Sequence, residues 1–508
     1  MESNNPNNKW ETLILLFLFV FSIVLRLLFL NAGLFHHDSV QLAMAVENTL
    51  KDKTIHPIGG GRYGLVFVDF AIFYFLNVLF NSYSAEFAVN FSSALFGALS
   101  IPLFYLIANA LLKNRFIAFS SAMLYSVTPI FLSVSTFANS HSLSVFLVLL
   151  SFHFLIQSIK SNEKLSAAYS GIFIGASFLV RESNLLLLPA AFYLIFSCSK
   201  NLNGNFLSNE KRKIMLYYAA PIVIGALTLL LLINPILEQQ VKRNFGTFVF
   251  NQITYSISGL QFTLTWLGAI LLFVGTYELY KKDRKLLALL ALWFIPLFLF
   301  YTFASVVDHR FFAGLIIPLI ILIACSFNFI NNFYKNAGYI ASILIFFLML
   351  SSIYPLLKAR HEASSMKELS KLISGTLEPN PAIMLYGDNQ AFLKYYGNFT
   401  TIPCEPDLNM ENSKEFVGAV YSHLLSDVPV YMSTECFSIG NLEEKQHFYN
   451  LMLYNFKFEY EFEYFFDNYH KGTVRQDLMK NYLLKMLPYP DEKGQLISDY
   501  MYYPEYSK

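Results

Sequence analysis

Apolar runs separated by short polar breaks fill the chain up to about residue 356. Runs of about 20 apolar residues, enough to span a hydrocarbon core about 30 Å thick, recur near 12–30, 85–112, 116–136, 140–159, 214–234, 263–280, 286–304, 311–330 and 338–356. Two shorter runs, 166–180 and 184–198, flank Arg181. One further run, 64–82, carries Asp69 and Asn77 and is barely long enough to cross. Basic residues arbitrate, because Lys and Arg accumulate in short cytoplasmic loops. With 64–82 lying in or dipping into the outer interface, Lys9, Lys113, Arg115, Lys160, Lys164, Lys200, Lys211, Arg212, Lys213, Lys281, Lys282, Arg284, Lys285 and Lys335 all fall on one side. The pattern predicts about eleven crossings, an inside N-terminus and an outside C-terminus. Thr12 to Leu30, interrupted only by Arg26 and followed by no small-residue cleavage pattern, reads as a retained signal anchor.

From about residue 357 the pattern changes. "AIMLYG" and "VPVYMS" read as short buried strands, and "FKFEYEFEY" (456–464) alternates with period two. Helical stretches lie between them, so the tail, 357–508, is expected to be a small extracytoplasmic α/β domain after a membrane domain at 1–356. "GDNQAF" (387–392) lacks a glycine-rich phosphate turn, and the tail reads as a packing or acceptor-docking module. The Asn-rich start, "ESNNPNNK", reads as a disordered leader.

Composition agrees with a polytopic α-helical membrane protein: of 508 residues, 55% are hydrophobic and 14% charged, with mean hydropathy +0.45. A net charge of +1 gives no field to collect nucleic acid. Of the four cysteines, Cys198 and Cys325 fall in apolar runs, leaving Cys404 and Cys436 as the pair able to form a disulfide.

The unusual polar residues gather on the predicted outer side, in 31–84, near Asn139, at Arg181, in a loop 236–262 and at "VVDHR" (306–310). Asp38 opens "DSVQ", which resembles a capping box starting an amphipathic helix. A helix start also keeps a carboxylate ionised, able to accept a proton from a hydroxyl or amine. Arg181 is costly in a membrane segment and is expected to face a partner, a cavity or a headgroup, pairing with Glu182, snorkelling, or gripping phosphate. Arg310 and Arg62 complete a candidate outer site for an anionic headgroup, with His309 beside Arg310 and Gly59, Gly60 and Gly61 before Arg62. His37, Asn139 and His141 are candidate pocket residues; for Asn139 and His141 helix capping is the alternative. His36, His37, Asp38 and His56 do not have the spacing of a metal site, and none is predicted. Sequons occur at Asn90, expected too close to the bilayer for modification, and at Asn398.

These pieces together resemble the GT-C membrane glycosyltransferases. An aspartate opens the first outer loop, "GxxxGxxFLxR" (171–181) is followed by "LLLLP", and "HRFF" precedes Pro318. More narrowly, residues 10–355 look like the protein O-mannosyltransferase and aminoarabinose lipid A transferase branch. The resemblance implies inverting transfer of a sugar from a polyprenyl phosphate carrier to an extracytoplasmic protein, lipid or glycan acceptor. It implies Asp38 as general base, with Arg181, Arg310 and His309 on the carrier phosphate. The site would face outward from a cell membrane, or into the lumen in an endoplasmic reticulum. Asp38 is followed by Ser39 where many relatives carry a second acid. An oligosaccharyltransferase is disfavoured because Trp10, Trp266 and Trp293 stand alone. The rival from another class is a lipid or glycolipid transporter, which tends to place such charges at the membrane midplane on repeated helices.

Overall fold

The computed structural model describes residues 6–58, 62–80, 83–197, 209–244, 250–303, 308–385, 389–404, 410–438, 442–467 and 478–488. The Asn-rich leader up to residue 5, the Gly59–Gly61 turn, Cys198 and the first residues of "GDNQAF" lie outside them. The chain forms two compact units that divide between Glu362 and Ala363.

The first unit is helical: α1 (Pro6–Leu28), α2 (His37–Asp52), α3 (Tyr63–Phe80), α4 (Ala85–Leu112), α5 (Arg115–Val127), α6 (Pro129–Val134) and α7 (His141–Ser161). There follow α8 (Lys164–Val180), α9 (Leu188–Ser197), α10 (Asn209–Asn244), α11 (Phe250–Lys282), α12 (Arg284–Phe303), α13 (Ile316–Phe333) and α14 (Ala337–Glu362). Among the described residues, nine of these helices are long and apolar enough to cross a membrane, α3 included. Exposed Phe67, Tyr74, Phe75 and Phe80 give α3 an aromatic surface suited to lipid or to its interface.

Three expectations need correction. The run 116–136 is not one helix: Thr128 leaves helical geometry (φ −55°, ψ 123°) before Pro129, which starts the short α6. Proline disfavours helical geometry in the residue before it. The run 184–198 opens with a 3-10 turn, Glu182–Leu187, and leaves only α9 as regular helix. The expected loop 236–262 is largely helical, in the ends of α10 and α11. Its signal was a buried stripe of small residues, Ser256, Gly259 and Thr263, at helical spacing, which a hydropathy scan passes over.

Close approach of α8 to α10 sets the position of Arg181, which follows directly on α8. A methyl at Gly171 would stand 2.3 Å from the Tyr218 carbonyl oxygen, and one at Gly225 2.7 Å from the Gly175 Cα. Small residues at such crossings let backbones pack closely where lipid supplies no hydrophobic drive.

The second unit runs α15 (Ser365–Thr376), β1 (Ala382–Leu385), α16 (Asn389–Gly397), β2 (Thr400–Pro403), α17 (Met410–Leu425), β3 (Val430–Ser433), α18 (Leu442–Asn455), β4 (Phe456–Asp467) and β5 (Leu478–Pro488). The sheet order is β2-β1-β3-β5-β4. The first three strands are parallel, and β5 and β4 are added antiparallel. Cys404 and Cys436 are joined by a disulfide at the end of this core. α14 carries the membrane unit past the expected boundary at 356, as far as Glu362.

Gly171→Ala is expected to lower the melting temperature of the detergent-solubilised protein by about 5 °C or more, because its methyl meets a backbone carbonyl. Gly375→Ala, with nothing within 4 Å, should leave it unchanged or raise it. Thermal loss of the monodisperse size-exclusion peak measures both.

Candidate active site

Asp38 lies in the first turn of α2, but it is not the cap. His36 occupies the N-cap in an extended conformation, and its Nδ1 accepts the Asp38 N–H at 3.1 Å. The capping-box reading of "DSVQ" is thereby corrected: a histidine ring does the capping and the Asp38 carboxylate is left to side-chain partners. His37 Nε2 lies 2.9 Å from Oδ1, and Arg310 Nη1 lies 3.2 Å and Arg62 Nη1 3.7 Å from Oδ2. Burial opposes ionisation of this carboxyl. His36, the Arg310 guanidinium, the hydrogen bond from His37 and Arg62 outweigh it and hold the group well below 3.8. About a fifth of the side chain stays exposed, 21%, so the carboxylate is ionised and still reachable.

Arg310 is placed by a 3-10 turn, His309–Ala313. Asp308, fully buried, caps that turn through Oδ1 to the Arg310 N–H (2.9 Å) and holds the Arg310 Nε through Oδ2 (2.8 Å). Tyr125 donates to the Ala313 carbonyl and Trp293 to that of Gly314, fastening the turn to α5 and α12. His309 points elsewhere: its ring stacks on Tyr255 of α11 at 4.1 Å, and its Nε2 lies 3.2 Å from the Tyr255 carbonyl oxygen. It is therefore not brought to Asp38.

Arg181 leaves helical geometry at the end of α8 and turns inward, 7% exposed, while Glu182 faces out. Its Nη1 donates to Ser140 Oγ at 3.1 Å and to His141 Nε2 at 3.0 Å. Because guanidinium only donates, that histidine nitrogen is an acceptor. Pairing with Glu182 and snorkelling, the structural alternatives for Arg181, do not describe this geometry. The Arg181 and Arg310 guanidiniums both lie against the Phe311 ring, 5.0 and 5.5 Å from its centroid. An aromatic face stabilises each cation. Beside Arg181 a narrow slot is lined by His141, Ser144, Asn184, Trp293, Tyr301 and Leu297.

Asn139 spends its side chain on backbone: Oδ1 accepts the His141 N–H at 2.8 Å, and Nδ2 donates to the carbonyls of Phe137 and Val134. It shapes the strap 135–140 and does not line the slot. Asn90 is buried, 1% exposed, out of reach of any modifying enzyme. Asn398, by contrast, is exposed after α16.

Ligand atoms of His36, His37 and Asp38 lie within 4.8 Å of one another. The carboxylate already faces two guanidiniums and His36 Nδ1 already accepts a backbone N–H. A dication here would displace those contacts and meet like charge, so the trio is a poor fit for a metal. Within the buried cluster three guanidiniums, of Arg62, Arg181 and Arg310, face two carboxylates, of Asp38 and Asp308, with exposed Glu182 at the rim near Arg62. Among the described residues the charges balance when Glu182 is counted; without it, guanidiniums exceed carboxylates by one.

Phe311 and Arg360 went unassigned in the sequence. The Arg360 guanidinium lies 3.4 Å over the Phe35 ring and donates to Ser133 Oγ, and its carbonyl accepts the Ala32 N–H. The last turn of α14 thus clamps the stretch that leads to Asp38. The only sequence sign was an arginine following an apolar run.

Residues 67–238 match the family described as dolichyl-phosphate-mannose-protein mannosyltransferase. No curated protein matches the chain in sequence. The oligosaccharyltransferase of Archaeoglobus fulgidus has a similar structure, with 13% identity, TM-score 0.54, and coverage of 89% of this chain and 73% of that one. ArnT from Cupriavidus metallidurans, solved with undecaprenyl phosphate, is similar at 12% identity and TM-score 0.54, covering 92% and 97%. The mycobacterial arabinofuranosyltransferase AftD is similar at 12% identity and TM-score 0.54 over 96% of this chain, which spans 40% of AftD. The chain therefore has the fold of the GT-C membrane glycosyltransferases, as its sequence motifs implied, and within it a segment matching the mannosyltransferase family.

Proposed function

We propose that the protein transfers a sugar from a polyprenyl phosphate carrier to an acceptor on the extracytoplasmic side of the membrane. The observation that carries this reading is one reachable carboxylate within 3.7 Å of the Arg310 and Arg62 guanidiniums, with a third guanidinium, of Arg181, held against the same Phe311 ring as that of Arg310. Asp38 takes the proton from an acceptor hydroxyl or amine as that group attacks the anomeric carbon. The bond from anomeric carbon to phosphate oxygen breaks, and the electron pair leaves with the carrier phosphate. Arg181, Arg310 and Arg62 stabilise the charge that grows there; preorganised donors aimed at developing charge are an effective catalytic device. Attack opposite the leaving group inverts the anomeric centre. Arg181 and Arg310 both lie against the Phe311 ring, so two of these guanidiniums belong to one aromatic-lined site. His37, 26% exposed beside Asp38, orients the carboxylate.

Two observations favour an outward-facing site in the cell membrane. Basic residues crowd the loops of the opposite side. The Cys404–Cys436 disulfide belongs in an oxidising compartment, and the chain enters that unit from the end of α14 that contacts residues 30–35.

Asp38→Asn should lower transfer about 10²- to 10⁴-fold with membrane insertion and undecaprenyl phosphate binding intact; transfer at the wild-type rate in native membranes would sink the assignment. Arg181→Gln should weaken binding of undecaprenyl phosphate, read by native mass spectrometry in detergent, and lower transfer about 10²-fold or more.

The pH–rate profile gives a separate check. A carboxyl held below its ordinary 3.8 stays ionised throughout the accessible range, so the wild-type rate should show no Asp38 limb between about pH 5 and 8. Arg310→Met removes one cause of the depression, raises the Asp38 pKa and should move the acidic limb upward, whatever it does to the plateau. Identical limbs in the two proteins would contradict the role given to Arg310.

A further inference from the structure

Ser39 and Asn90 have no part in the chemistry above, yet both are buried and both spend their side chains on one residue. Ser39, fully buried, donates from Oγ to the Ala138 carbonyl at 2.6 Å. Asn90 on α4 accepts the Ala138 N–H on Oδ1 at 2.8 Å and donates from Nδ2 to the Gly33 carbonyl at 3.2 Å. Ala138 is therefore gripped through its N–H and through its C=O, one hydrogen bond coming from each side chain.

The two grips join the two halves of the site. Ser39 follows Asp38 in the chain, and Gly33 lies on the segment that leads to it. Ala138 stands just before Ser140 and His141, which take Nη1 of Arg181. A single hydrogen bond and a short piece of backbone thus connect the carboxylate to the residues holding the guanidinium. Beyond its partner, the strap is steadied by Ser93, whose Oγ accepts the Asn139 N–H at 3.2 Å. Ser39 is also the residue type this place demands. An acid there would set a carboxylate against the Ala138 carbonyl, acceptor against acceptor, at a fully buried position.

We propose that Ser39 and Asn90 are positioning residues that fix the register between Asp38 and Arg181, so that base and phosphate grip engage one donor together. The proposal rests on the sugar-transfer reading. Its physical basis is that a reacting group displaced by about 1 Å can lose about 10²-fold in rate without loss of binding.

The test compares Ser39→Ala and Ser39→Thr with the wild type on three readouts. Transfer is followed in native membranes, which supply the carrier-linked sugar; undecaprenyl phosphate affinity and melting temperature are measured on purified protein. Ser39→Ala should lose about 10- to 100-fold in transfer while keeping affinity within about threefold, with melting lowered only by the few degrees that one lost buried hydrogen bond costs. Ser39→Thr, which restores the hydroxyl, should recover most of the rate. Should Ser39→Ala fail to assemble, Ser39→Cys takes its place with the same expected split, since the thiol fills the site and donates only weakly to the Ala138 carbonyl. Wild-type transfer by Ser39→Ala would overturn the proposal, as would parallel loss of rate, affinity and melting temperature that Ser39→Thr does not rescue. A wild-type protein without transfer in those membranes would instead bring down the sugar-transfer reading, and the register role with it.

Discussion

Non-helical backbone buried among apolar helices must find every hydrogen-bond partner inside the protein, because lipid offers none. The strap 135–140 between α6 and α7 is such a stretch, and each of its residues is buried. Its carbonyls and N–H groups are met by Asn31, Ser39, Asn90, Ser93 and the Asn139 side chain. That demand brings the first outer loop, α4 and the start of α7 to one place. Asp38 and Arg181 take their positions from it, although neither belongs to the strap.

Charge completes what the strap begins. Arg181, Arg310 and Asp308 are each buried to more than nine-tenths, a placement tolerated only with partners. Asp308 binds Arg310, Arg310 reaches Asp38, and Arg310 and Arg181 both lie against Phe311. Most of this electrostatic work is therefore settled before any ligand arrives.

Much of the site was legible in the sequence because polar residues in membrane segments are costly and so conspicuous. Asp38, Arg62, Arg181, Arg310 and His141 stood out on that ground, and they gather in space. His309 stood out equally but is buried against Tyr255; neighbours in a 3-10 turn diverge, which a motif cannot show. The identity of the N-cap was missed because histidine competes poorly with aspartate on propensity alone, while here the chain path puts its ring nitrogen in reach. Helix boundaries were legible where apolar runs began and ended at charges. They failed at Thr128–Pro129 and across 250–262, where proline and small polar residues decide the path and hydropathy changes little. Of the five strands in the second unit, β4 was legible through its period and β1 and β3 as short apolar runs, while β2 and β5 were not foreseen. Their order was not legible either, since parallel pairing depends on contacts between segments far apart in the chain.

Among the described residues the strand β4 lies at one edge of its sheet, with no strand paired on its outer side. Lys457, Glu459, Glu461 and Glu463 recur along it, and Glu463 is paired with Lys480 of the inner neighbour β5. An edge of this length is a template on which another chain can add a strand. The acidic residues make that addition unfavourable, since a second copy would lay like charges alongside. The alternation that marks this segment as a strand thus also sets charge along the edge of its sheet, the usual device by which edge strands resist pairing.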